Sequence, residues 1–390
     1  MPELAPTLAV IGGGQLARMM AQPAIALGLP LRLLAEAPGV SAAQVIPDHR
    51  VGDHRDLATL REVTAGCPVV TFDHEHVPTE HLHTLEADGI AVRPGPDALV
   101  HAQDKGVMRE RLAALGVDCP RNAIVTSPAD VEAFGLPCVL KTTRGGYDGK
   151  GVWFVEDTAG WAEACAEAFA VAEETGVRIL AEERVDFRRE LSALVVRAPS
   201  GQAAAYPVVA STQRDGICHE VVAPAPDLDP DLATHAQQVA LRIAGELGVT
   251  GVLAVELFET TDGRVLVNEL AMRPHNTGHW TQDGAVTSQF ENHLRAVMDL
   301  PLGSPAPRAR WTVMVNILGG PDPGVGRLWD GYPHAMARDP QLRVHLYGKE
   351  PRPGRKVGHV NAYGEDLEDC LERARHAAAW FRGDLGNESE

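Results

Sequence analysis

The segment LAVIGGGQLARMM, residues 8–20, limits the fold more than any other stretch near the start of the chain. An apolar run passes through three glycines into a helix-like stretch, which predicts a β-strand followed by an α-helix in a parallel sheet. Gly12, Gly14 and Ala17 match the G-x-G-x-x-G/A dinucleotide-binding motif. Glu36 ends the next apolar run, LRLLAE, where such a site places an acid that binds ribose. The segment therefore raises the question whether the chain is a nicotinamide-dependent oxidoreductase.

The first hundred residues continue this alternation of strands and helices. TLAVIG, LRLLAE, PVVTFDHEHV and IAVRPGP are apolar runs, and stretches with helical character separate the first three of them. This is the pattern of a parallel α/β sheet whose ligands bind at the carboxyl ends of the strands. We expect a Rossmann-like N-terminal domain at residues 1–97, which ends near the prolines Pro94 and Pro96.

Length, charge and cysteine content exclude several classes of protein. A chain of 390 residues is too long for one ordinary core, so we expect roughly two to four domains. The net charge of −18 argues against a nucleic-acid partner, since phosphate backbones are bound through clustered Lys and Arg. Neither a run of about 18 apolar residues nor a secretory signal is found, which predicts a cytoplasmic protein without a membrane partner. The six cysteines lack C-x-x-C spacing, so we expect reduced thiols.

Beyond residue 97 the pattern predicts a mixture of α/β and α+β units. Residues 98–182 predict a small unit with a helix at DKGVMRERLAALGV and strands at PCVLKTT, GVWFVE and RILAEERV. Residues 183–308 are rich in strands and contain one long helix, THAQQVALRIAGELGV. Residues 309–390 predict a small β appendage closed by the helix LEDCLERARHAAAWFR.

The loop KTTRGGYDGKG, residues 141–151, is the most informative stretch of the chain. Its four glycines lie between two apolar strands and allow the backbone to direct several N–H groups at one anion. Lys141 and Lys150 add positive charge, and Arg144 adds a planar fork suited to phosphate or carboxylate. The alternative is a glycine-rich turn with solvated charges. Tyr147 and Asp148 argue against that alternative, because a bare turn needs neither side chain.

Two glutamates in VLAVELFETTDGRVLVNEL are predicted to face each other. The pair Asp262 and Gly263 is a strong signal for a two-residue hairpin turn. A turn centred there places Glu256 directly opposite Glu269, with Cβ atoms about 5 Å apart. Like charges at that distance repel unless a divalent cation lies between them, and Asn268 offers a further oxygen. The alternatives are that one glutamate is protonated or that the register slips by one residue.

These segments together resemble the ATP-grasp superfamily and, within it, the 5-(carboxyamino)imidazole ribonucleotide synthases of purine biosynthesis. The resemblance covers nearly the whole chain. It is carried by GGGQLARMM, TFDHEHVP, AQDK, KTTRGGYDGKG, YPVV, RDGI, VNELAMRPHNTGHWTQDGAVTSQFENHLRAV and LYGKEPRPGRKVGHVN. GGYDGKG and the block at residues 267–297 are specific to these enzymes among their relatives, whereas GGGQL alone is weak.

The resemblance implies an ATP-grasp fold with an N-terminal Rossmann-like, pre-ATP-grasp domain, an ATP-grasp lid and metal subdomain, and a small C-terminal β-rich appendage. It implies an ATP-dependent carbon–nitrogen ligase that joins 5-aminoimidazole ribonucleotide to bicarbonate through carboxyphosphate. The implied cofactors are ATP and Mg²⁺, with Mn²⁺ as a substitute, and the implied assembly is a homodimer. In such a protein the first glycine loop faces the substrate nucleotide rather than NAD, and Glu36 is only a strand-end acid.

The resemblance also implies a role for individual residues. Those implied to bind ATP are Lys105, Lys141, Gly146, Tyr147, Asp148, Gly149, Lys150, Gly151, Val152, Glu182, Glu183, Arg184, Val185, Glu190, Gln213, Asn268 and Glu269. Those implied to line the bicarbonate and amine site, and so to be catalytic, are Tyr147, Asp148, Arg273, His275 and Asn276. Those implied to hold the ribonucleotide are Gln15, Leu16, Glu75, Lys349, Arg355 and Lys356. Glu256 and Glu269 are implied to hold Mg²⁺.

Several residues depart from the family pattern. Lys105 stands where the family usually has Arg, and Gln213 replaces a His expected near ATP. Asp73, His76 and Met272 stand where Glu, Asn and Pro are commoner. Lys105 and Gln213 keep open the hypothesis of a nucleotide-binding protein without catalysis. A second enzyme hypothesis is another ATP-grasp ligase, such as a formate-using glycinamide ribonucleotide transformylase or a biotin carboxylase, and the segment RPHNTGHWTQ argues against both. An NAD oxidoreductase ranks last because it leaves the second glycine loop and the glutamate pair unexplained.

Four histidines close to Glu75 raise the separate hypothesis of a transition-metal site. They are His74, His76, His81 and His83. The segment has neither cysteine ligands nor an H-E-x-x-H helix, so we favour histidines of the surface or of the substrate pocket.

Overall fold

The apolar runs at the start of the chain form a five-stranded parallel sheet. The computed structural model of the protein describes residues 5–146, 150–157, 160–214, 216–320 and 328–384. The first elements are β1 (Leu8–Ile11), α1 (Gln15–Leu27), β2 (Leu31–Ala35), a 3-10 turn (Ala42–Gln44), β3 (His49–Val51), α2 (Leu57–Thr64), β4 (Val69–Phe72), α3 (Thr79–Ala87), β5 (Ala91–Val92) and α4 (Pro96–Gln103). The strand order is β3-β2-β1-β4-β5, and the pairings are parallel.

This strand order creates a switch point between β1 and β4. The chain winds outward to β2 and β3 on one side of β1 and to β4 and β5 on the other. Ligands of open parallel sheets bind at such a point, beyond the carboxyl ends of the two strands. The first glycine loop follows β1, and the segment DHEHVP follows β4. Both segments therefore meet at the edge of the sheet where a ligand is expected.

A second, four-stranded antiparallel sheet carries the glycine loop of residues 143–151. Its elements are α5 (Lys105–Ala114), β6 (Asn122–Val125), α6 (Pro128–Phe134), β7 (Cys138–Thr142), β8 (Val152–Val155), α7 (Trp161–Thr175) and β9 (Ile179–Glu183). The strand order is β6-β9-β7-β8. The loop joins the hairpin strands β7 and β8, whose first pair is Lys141 with Val152. The expected framing of this loop by two strands is confirmed.

A nine-stranded sheet forms the rest of the chain. Its elements are β10 (Phe187–Arg197), β11 (Ala203–Ala205), β12 (Val209–Arg214), β13 (Ile217–Ala223), α8 (Pro230–Glu246), β14 (Gly251–Thr260), β15 (Val265–Ala271), a 3-10 turn (Asn276–Gly278), α9 (Thr281–Gly284), α10 (Gln289–Val297), β16 (Trp311–Leu318), a 3-10 turn (Leu328–Gly331), α11 (Tyr332–Arg338), β17 (Arg343–Leu346), β18 (Lys356–Gly364) and α12 (Leu367–Arg382). The order is β15-β14-β10-β12-β13-β16-β18-β17, with β11 paired to β10.

The C-terminal strands extend this sheet instead of forming a separate one. β16 pairs with β13 from Glu220–Val315 to Ala223–Thr312, so the hydrogen-bond ladder continues into the last eighty residues. Helix α12 packs Ala374 and Phe381 into the same apolar cluster as Val313 of β16. The expected small β appendage is therefore continuous with the central sheet, because the edge of β13 is available for pairing.

The helices contain no membrane span within the described residues. None of them is both long and apolar enough to cross a bilayer.

Candidate active site

A cavity of about 1490 Å³ is lined by residues of the four-stranded and nine-stranded sheets and by residues that follow β1 and β4 of the first sheet. Most of the site residues implied by the sequence lie in its wall. They are Gln15, Leu16, Glu75, Lys105, Lys141, Gly146, Lys150, Gly151, Val152, Glu182, Glu183, Arg184, Val185, Glu190, Gln213, Glu256, Asn268, Glu269, Arg273, His275, Asn276 and Lys356. Residues that are up to 341 positions apart in sequence, from Gln15 to Lys356, thus share one cavity.

Two described residues of the implied set, Lys349 and Arg355, are not among those that line the cavity. Tyr147, Asp148 and Gly149 lie outside the described residues. Lys349 donates a hydrogen bond to the side-chain oxygen of Gln15, which does line the cavity. Arg355 donates to the carbonyl oxygen of Glu350 at 3.2 Å. The structure therefore places Lys349 behind a cavity residue and leaves Arg355 outside the wall.

The first glycine loop is filled by carboxylates of the chain itself. Gly13 N donates to the two oxygens of Glu36 at 3.2 and 3.0 Å. Gly14 N and Ala17 N donate to Asp73 at 2.5 and 3.0 Å. A Cβ atom on Gly14 would lie 2.1 Å from Asp73 Oδ2, which explains the glycine. These N–H groups at the start of α1 are the donors that a dinucleotide pyrophosphate requires.

The oxidoreductase interpretation is therefore wrong for this loop. The N–H donors of the loop already bind Glu36 and Asp73, and these two carboxylates would repel a pyrophosphate. The expectation that Glu36 is only a strand-end acid also needs correction, since its carboxylate binds the loop. Burial raises the pKa of Asp73 to about 6, while the bonds from Ala17 and Gly14 act in the opposite direction.

The hairpin loop between β14 and β15 differs from the predicted turn. Thr260 N donates to Arg264 O at 2.9 Å, and Gly263 N donates to Thr260 O at 3.0 Å. Gly263 has a φ of +84°, in the left-handed region. This geometry is a three-residue loop in which a turn is followed by a left-handed glycine. The prediction of a two-residue turn is wrong, because the loop contains one residue more.

A β-bulge restores the predicted pairing of the two glutamates. Leu257 pairs with Val267, whereas Glu256 pairs with Glu269, which leaves Asn268 as an extra residue on β15. A bulge turns the side chains of successive residues away from strict alternation. Asn268 and Glu269 both line the cavity for this reason. The prediction that Glu256 faces Glu269 is confirmed, although the turn that suggested it is different.

The glutamate pair is electrostatically unfavourable without a cation. Burial raises the pKa of Glu256 to about 8, and the charges of Glu269 and Glu190 add to this shift. His275 Nε2 lies 3.2 Å from Glu256 Oε1, and His275 Nδ1 lies 2.8 Å from Thr277 Oγ1. Burial lowers the pKa of His275 to about 3, helped by neighbouring cations. A neutral imidazole therefore faces Glu256 at neutral pH.

Two lysines bring positive charge to the bulge. Lys105 Nζ lies 3.3 Å from Glu269 Oε1. Lys141 Nζ donates to Asn268 Oδ1 at 3.2 Å and lies 2.7 Å from Glu182 Oε2. Cations and carboxylates next to each other are the composition of a site for a metal-bound polyphosphate.

Arg144 lines the cavity and binds a carboxylate of the chain, which is one of the two kinds of anion predicted for it. Its Nε donates to Asp104 Oδ2 at 2.9 Å, and Asp104 also accepts hydrogen bonds from Gly106 N and Val107 N at the start of α5. Arg144 therefore anchors the base of the glycine loop to α5.

Glu75 and Arg273 form a second charged group in the wall. Arg273 Nε lies 3.3 Å from Glu75 Oε2, and Met272 N donates to Glu75 Oε1 at 2.7 Å. This contact joins the carboxyl end of β4 to the segment after β15. Both side chains are thereby held at the boundary between the first sheet and the central sheet.

Residues after β9 also line the cavity, among them Glu190 on β10. Burial raises the pKa of Glu190 to about 7, while Lys141 acts in the opposite direction. Phe154, Phe187 and Phe258 line the same cavity, and the last two rings stack with centroids 4.8 Å apart. Such an apolar patch suits the flat face of a base. The sequence interpretation missed these aromatic residues, since each lies on a strand where an apolar residue is also expected for packing.

The sequence interpretation also missed Arg109. It is 2% exposed and donates from Nε to Glu182 Oε1 at 2.6 Å. The sequence does contain a signal for the burial of Arg109, because this residue lies one turn before Leu112 on the apolar face of α5.

The histidine metal hypothesis is wrong for the described part of the chain. No group of three or more His, Cys, Asp or Glu there could hold a metal ion. His74 and His76 line the cavity, and their rings stack with centroids 5.2 Å apart. The six cysteines are free, as expected.

Family models match three consecutive parts of the chain. A ribonucleotide synthetase preATP-grasp domain matches residues 5–103. An ATP-grasp domain matches residues 110–290. A phosphoribosylaminoimidazole carboxylase C-terminal domain matches residues 312–373.

Similar proteins cover almost the whole chain. The N5-carboxyaminoimidazole ribonucleotide synthase of Mycobacterium tuberculosis is 58% identical over 97% of this chain and 88% of its own length. A crystal structure of an N5-carboxyaminoimidazole ribonucleotide synthetase in complex with ADP is 34% identical, with a TM-score of 0.88, and the match covers 99% of this chain and 100% of the other. The Aspergillus clavatus synthase in complex with ADP and 5-aminoimidazole ribonucleotide is 29% identical, with a TM-score of 0.86 and coverage of 97% and 99%. The expected ATP-grasp fold and the stated resemblance are confirmed.

Proposed function

The chain belongs to the N5-carboxyaminoimidazole ribonucleotide synthase family of ATP-grasp proteins, and on this premise we propose how its cavity works. It is an ATP-dependent carbon–nitrogen ligase of purine biosynthesis that carboxylates 5-aminoimidazole ribonucleotide with bicarbonate. One observation carries the assignment of the reacting centre. The opposed pair of Glu256 and Glu269 lies in the same wall as Lys105 and Lys141, next to a glycine loop.

The donor set fits Mg²⁺ or Mn²⁺ together with ATP. Two carboxylates and the oxygen of Asn268 are hard ligands, and the phosphates of ATP provide the remaining oxygens that such ions prefer. The raised pKa of Glu256 supports this fit, because a bound cation relieves the repulsion from Glu269. When bound, the metal supplies charge neutralisation to the β- and γ-phosphates.

The four-stranded sheet β6-β9-β7-β8 holds the nucleotide. Residues 182–185 and Glu190 provide the adenine and ribose side of the cavity, and the three phenylalanines provide its apolar face. Lys105 and Lys141 contact the phosphates, and the glycine loop, with Gly146, Lys150, Gly151 and Val152, closes over them. Gln213 lines this side and replaces the histidine that the family pattern leads us to expect.

The ribonucleotide lies at the switch point of the first sheet. Gln15 and Leu16 follow the first glycine loop, and Glu75 and Lys356 lie beside them in the wall. Lys349 orients Gln15 through its hydrogen bond. This arrangement brings the exocyclic amine towards the centre that contains Arg273, His275 and Asn276.

The reaction has two displacement steps. A bicarbonate oxygen attacks the γ-phosphorus, the bond to the bridging oxygen breaks, and ADP leaves. The amine nitrogen then attacks the carboxyl carbon of carboxyphosphate, phosphate leaves, and the amine loses one proton. Water must be excluded between the steps, which is the role we assign to the glycine loop, including Tyr147 and Asp148. The lysines and Arg273 stabilise the anionic groups.

The same proposal extends to location and assembly. A purine biosynthetic role supports a cytoplasmic location. The resemblance to the family supports a homodimer.

The function is tested by measuring ADP release from MgATP and bicarbonate, with and without 5-aminoimidazole ribonucleotide. We expect release that depends on the ribonucleotide and is lost in Glu269→Ala. Tight ATP binding without ADP release under any of these conditions would instead favour a nucleotide-binding protein, in which Lys105 and Gln213 mark the loss of catalysis.

A further inference from the structure

Arg109 links three parts of the molecule without lining the cavity. It lies on α5 and is 2% exposed. Its Nη1 donates to Val267 O at 2.7 Å, and its Nη2 donates to Asn268 O at 2.7 Å. Its Nε donates to Glu182 on β9. One guanidinium therefore binds both the bulge of β15 and the strand that leads to the adenine side.

The two carbonyl contacts are informative about the bulge. Consecutive carbonyls of a regular strand point to opposite edges, so one guanidinium reaches both only where the strand is distorted. β15 is the terminal strand of its sheet, and its outer groups need partners from elsewhere. Val267 N donates to Asp118 O at 2.9 Å on the same side. The segment from α5 to Asp118 thus holds the bulge from outside the sheet.

The charges form a closed network around the same bulge. Glu182 is bound by Arg109 and Lys141, and Lys141 also donates to Asn268 Oδ1. Although burial acts to raise the pKa of Glu182, these two cations lower it to about 2. Asn268 is therefore fixed through its backbone by Arg109 and through its side chain by Lys141.

We propose that Arg109 is a positioning residue that fixes the bulge of β15, and through it the orientation of Asn268 and Glu269 towards the metal and the phosphates. This proposal rests on the proposed function, since it assumes that the cavity holds a metal nucleotide. In this role Arg109 would orient the metal ligands through hydrogen bonds without contacting the metal itself. Lysine cannot replace it, because an ammonium lacks the planar fork that reaches two carbonyls and a carboxylate at once.

The test is Mn²⁺ binding in the presence of a non-hydrolysable ATP analogue, followed by the electron paramagnetic resonance signal of free Mn²⁺. We expect Arg109→Lys to weaken Mn²⁺ binding by about 10- to 100-fold. Metal-free binding of the analogue should change less than about threefold, because Lys141 still holds Glu182 at 2.7 Å when Arg109 is replaced. The control is Arg111→Lys on the same helix; its half-buried side chain donates to Glu246 O at 3.3 Å.

A double variant guards against a folding failure. Removing one member of a buried ion pair is strongly destabilising, whereas removing both is often tolerated. Arg109→Met combined with Glu182→Gln removes both charges and both carbonyl contacts. Because Glu182 itself lines the cavity, Glu182→Gln alone, which keeps the carbonyl contacts of Arg109, is the reference. We expect the double variant to fold and to bind Mn²⁺ about 10- to 100-fold more weakly than Glu182→Gln.

Three results would overturn the proposal. Unchanged Mn²⁺ affinity in the folded lysine variant or in the folded double variant would exclude the positioning role. An equal loss of analogue and Mn²⁺ binding would show general damage. Failure of both variants to fold would show that Arg109 is a structural residue. Absence of ribonucleotide-dependent ADP release in the unmodified protein would defeat the proposed function alone, since the Mn²⁺ comparison does not use the ribonucleotide.

Discussion

Two carboxylate pairs of this protein differ in what satisfies them. Glu36 and Asp73 accept hydrogen bonds from backbone N–H groups of the first glycine loop. Glu256 and Glu269 face each other across a hairpin, and their side-chain neighbours are His275 and Lys105. The N–H donors of the loop bind the first pair. Ionisation of the second pair is opposed by burial and by the repulsion between its two carboxylates, and we call it the repulsive pair. The groups that surround a motif, and not the motif itself, therefore separate a structural site from a reactive one.

The largest expected effect comes from removing one member of the repulsive pair. We expect Glu269→Ala to reduce the turnover number by roughly 10³-fold, because a bound metal supplies several kcal/mol of transition-state stabilisation. Steady-state ADP release measures it. Asp262→Asn, in the exposed loop of the same hairpin, serves as the control and should retain activity. A loss of less than tenfold in Glu269→Ala would remove the metal role from this pair.

The pair of Glu36 and Asp73 should instead affect the stability of the fold. Asp73→Ala leaves Gly14 N and Ala17 N without their acceptor, which should lower the free energy of unfolding by about 1–3 kcal/mol. Urea denaturation measures this change. The exposed residue Glu132 provides the control, with no measurable loss expected in Glu132→Ala. An unchanged denaturation midpoint for Asp73→Ala would contradict the structural role.

The repulsive pair should also make stability depend on pH in the absence of metal. The pKa of Glu256 is raised to about 8 in the folded protein, so its contribution is fully present below its ordinary pKa and is lost as pH rises through about 8. Buried histidines such as His275 have lowered pKa values, so their contribution is lost only as pH falls below about 6.5. Between pH 6.5 and 8 we therefore expect metal-free protein to lose stability.

Denaturation midpoints at several pH values measure this loss. Glu256→Gln should flatten the profile in this window, and Mg²⁺ should reverse the loss because it favours the ionised carboxylates. A variant profile that follows that of the unmodified protein would assign the pH dependence to another group, of which Glu190, with its pKa raised to about 7, is the first candidate.

The smallest effect is expected at the first glycine loop. NADH should leave the melting temperature unchanged, because the N–H donors of the loop are already occupied by Glu36 and Asp73. Glu36→Gln retains an acceptor oxygen for Gly13 N and should cost less than about 1 kcal/mol. Stabilisation by NADH that disappears in this variant would restore the dinucleotide interpretation.

Local patterns predicted much of the fold and the pairing of the glutamates. The alternation of apolar runs gave the parallel sheet, and the spacing around Asp262 placed Glu256 opposite Glu269. The prediction from this spacing is correct because two irregularities offset each other, namely a three-residue loop and a bulge at Asn268. Neither is visible locally, because the bulge is held by long-range contacts from Arg109 and Asp118.

Contacts between distant segments were not predictable from the pattern. Asp73 reaches the first glycine loop only because β4 lies beside β1 in the sheet. Lys349 is seven residues from Lys356 and yet contacts Gln15 behind the wall, since the chain turns between β17 and β18. Strand order, which the pattern leaves open, determines the first contact, and the path of the loop between β17 and β18 determines the second.

The most direct test of the account follows the oxygen atoms of ¹⁸O-labelled bicarbonate during turnover with MgATP and 5-aminoimidazole ribonucleotide. If a bicarbonate oxygen attacks the γ-phosphorus and the amine then displaces phosphate, one ¹⁸O atom must appear in each molecule of inorganic phosphate. Mass spectrometry of the phosphate measures it. Stoichiometric transfer of one label is the result we predict, and phosphate that contains only the oxygen of ATP and of water would contradict the account.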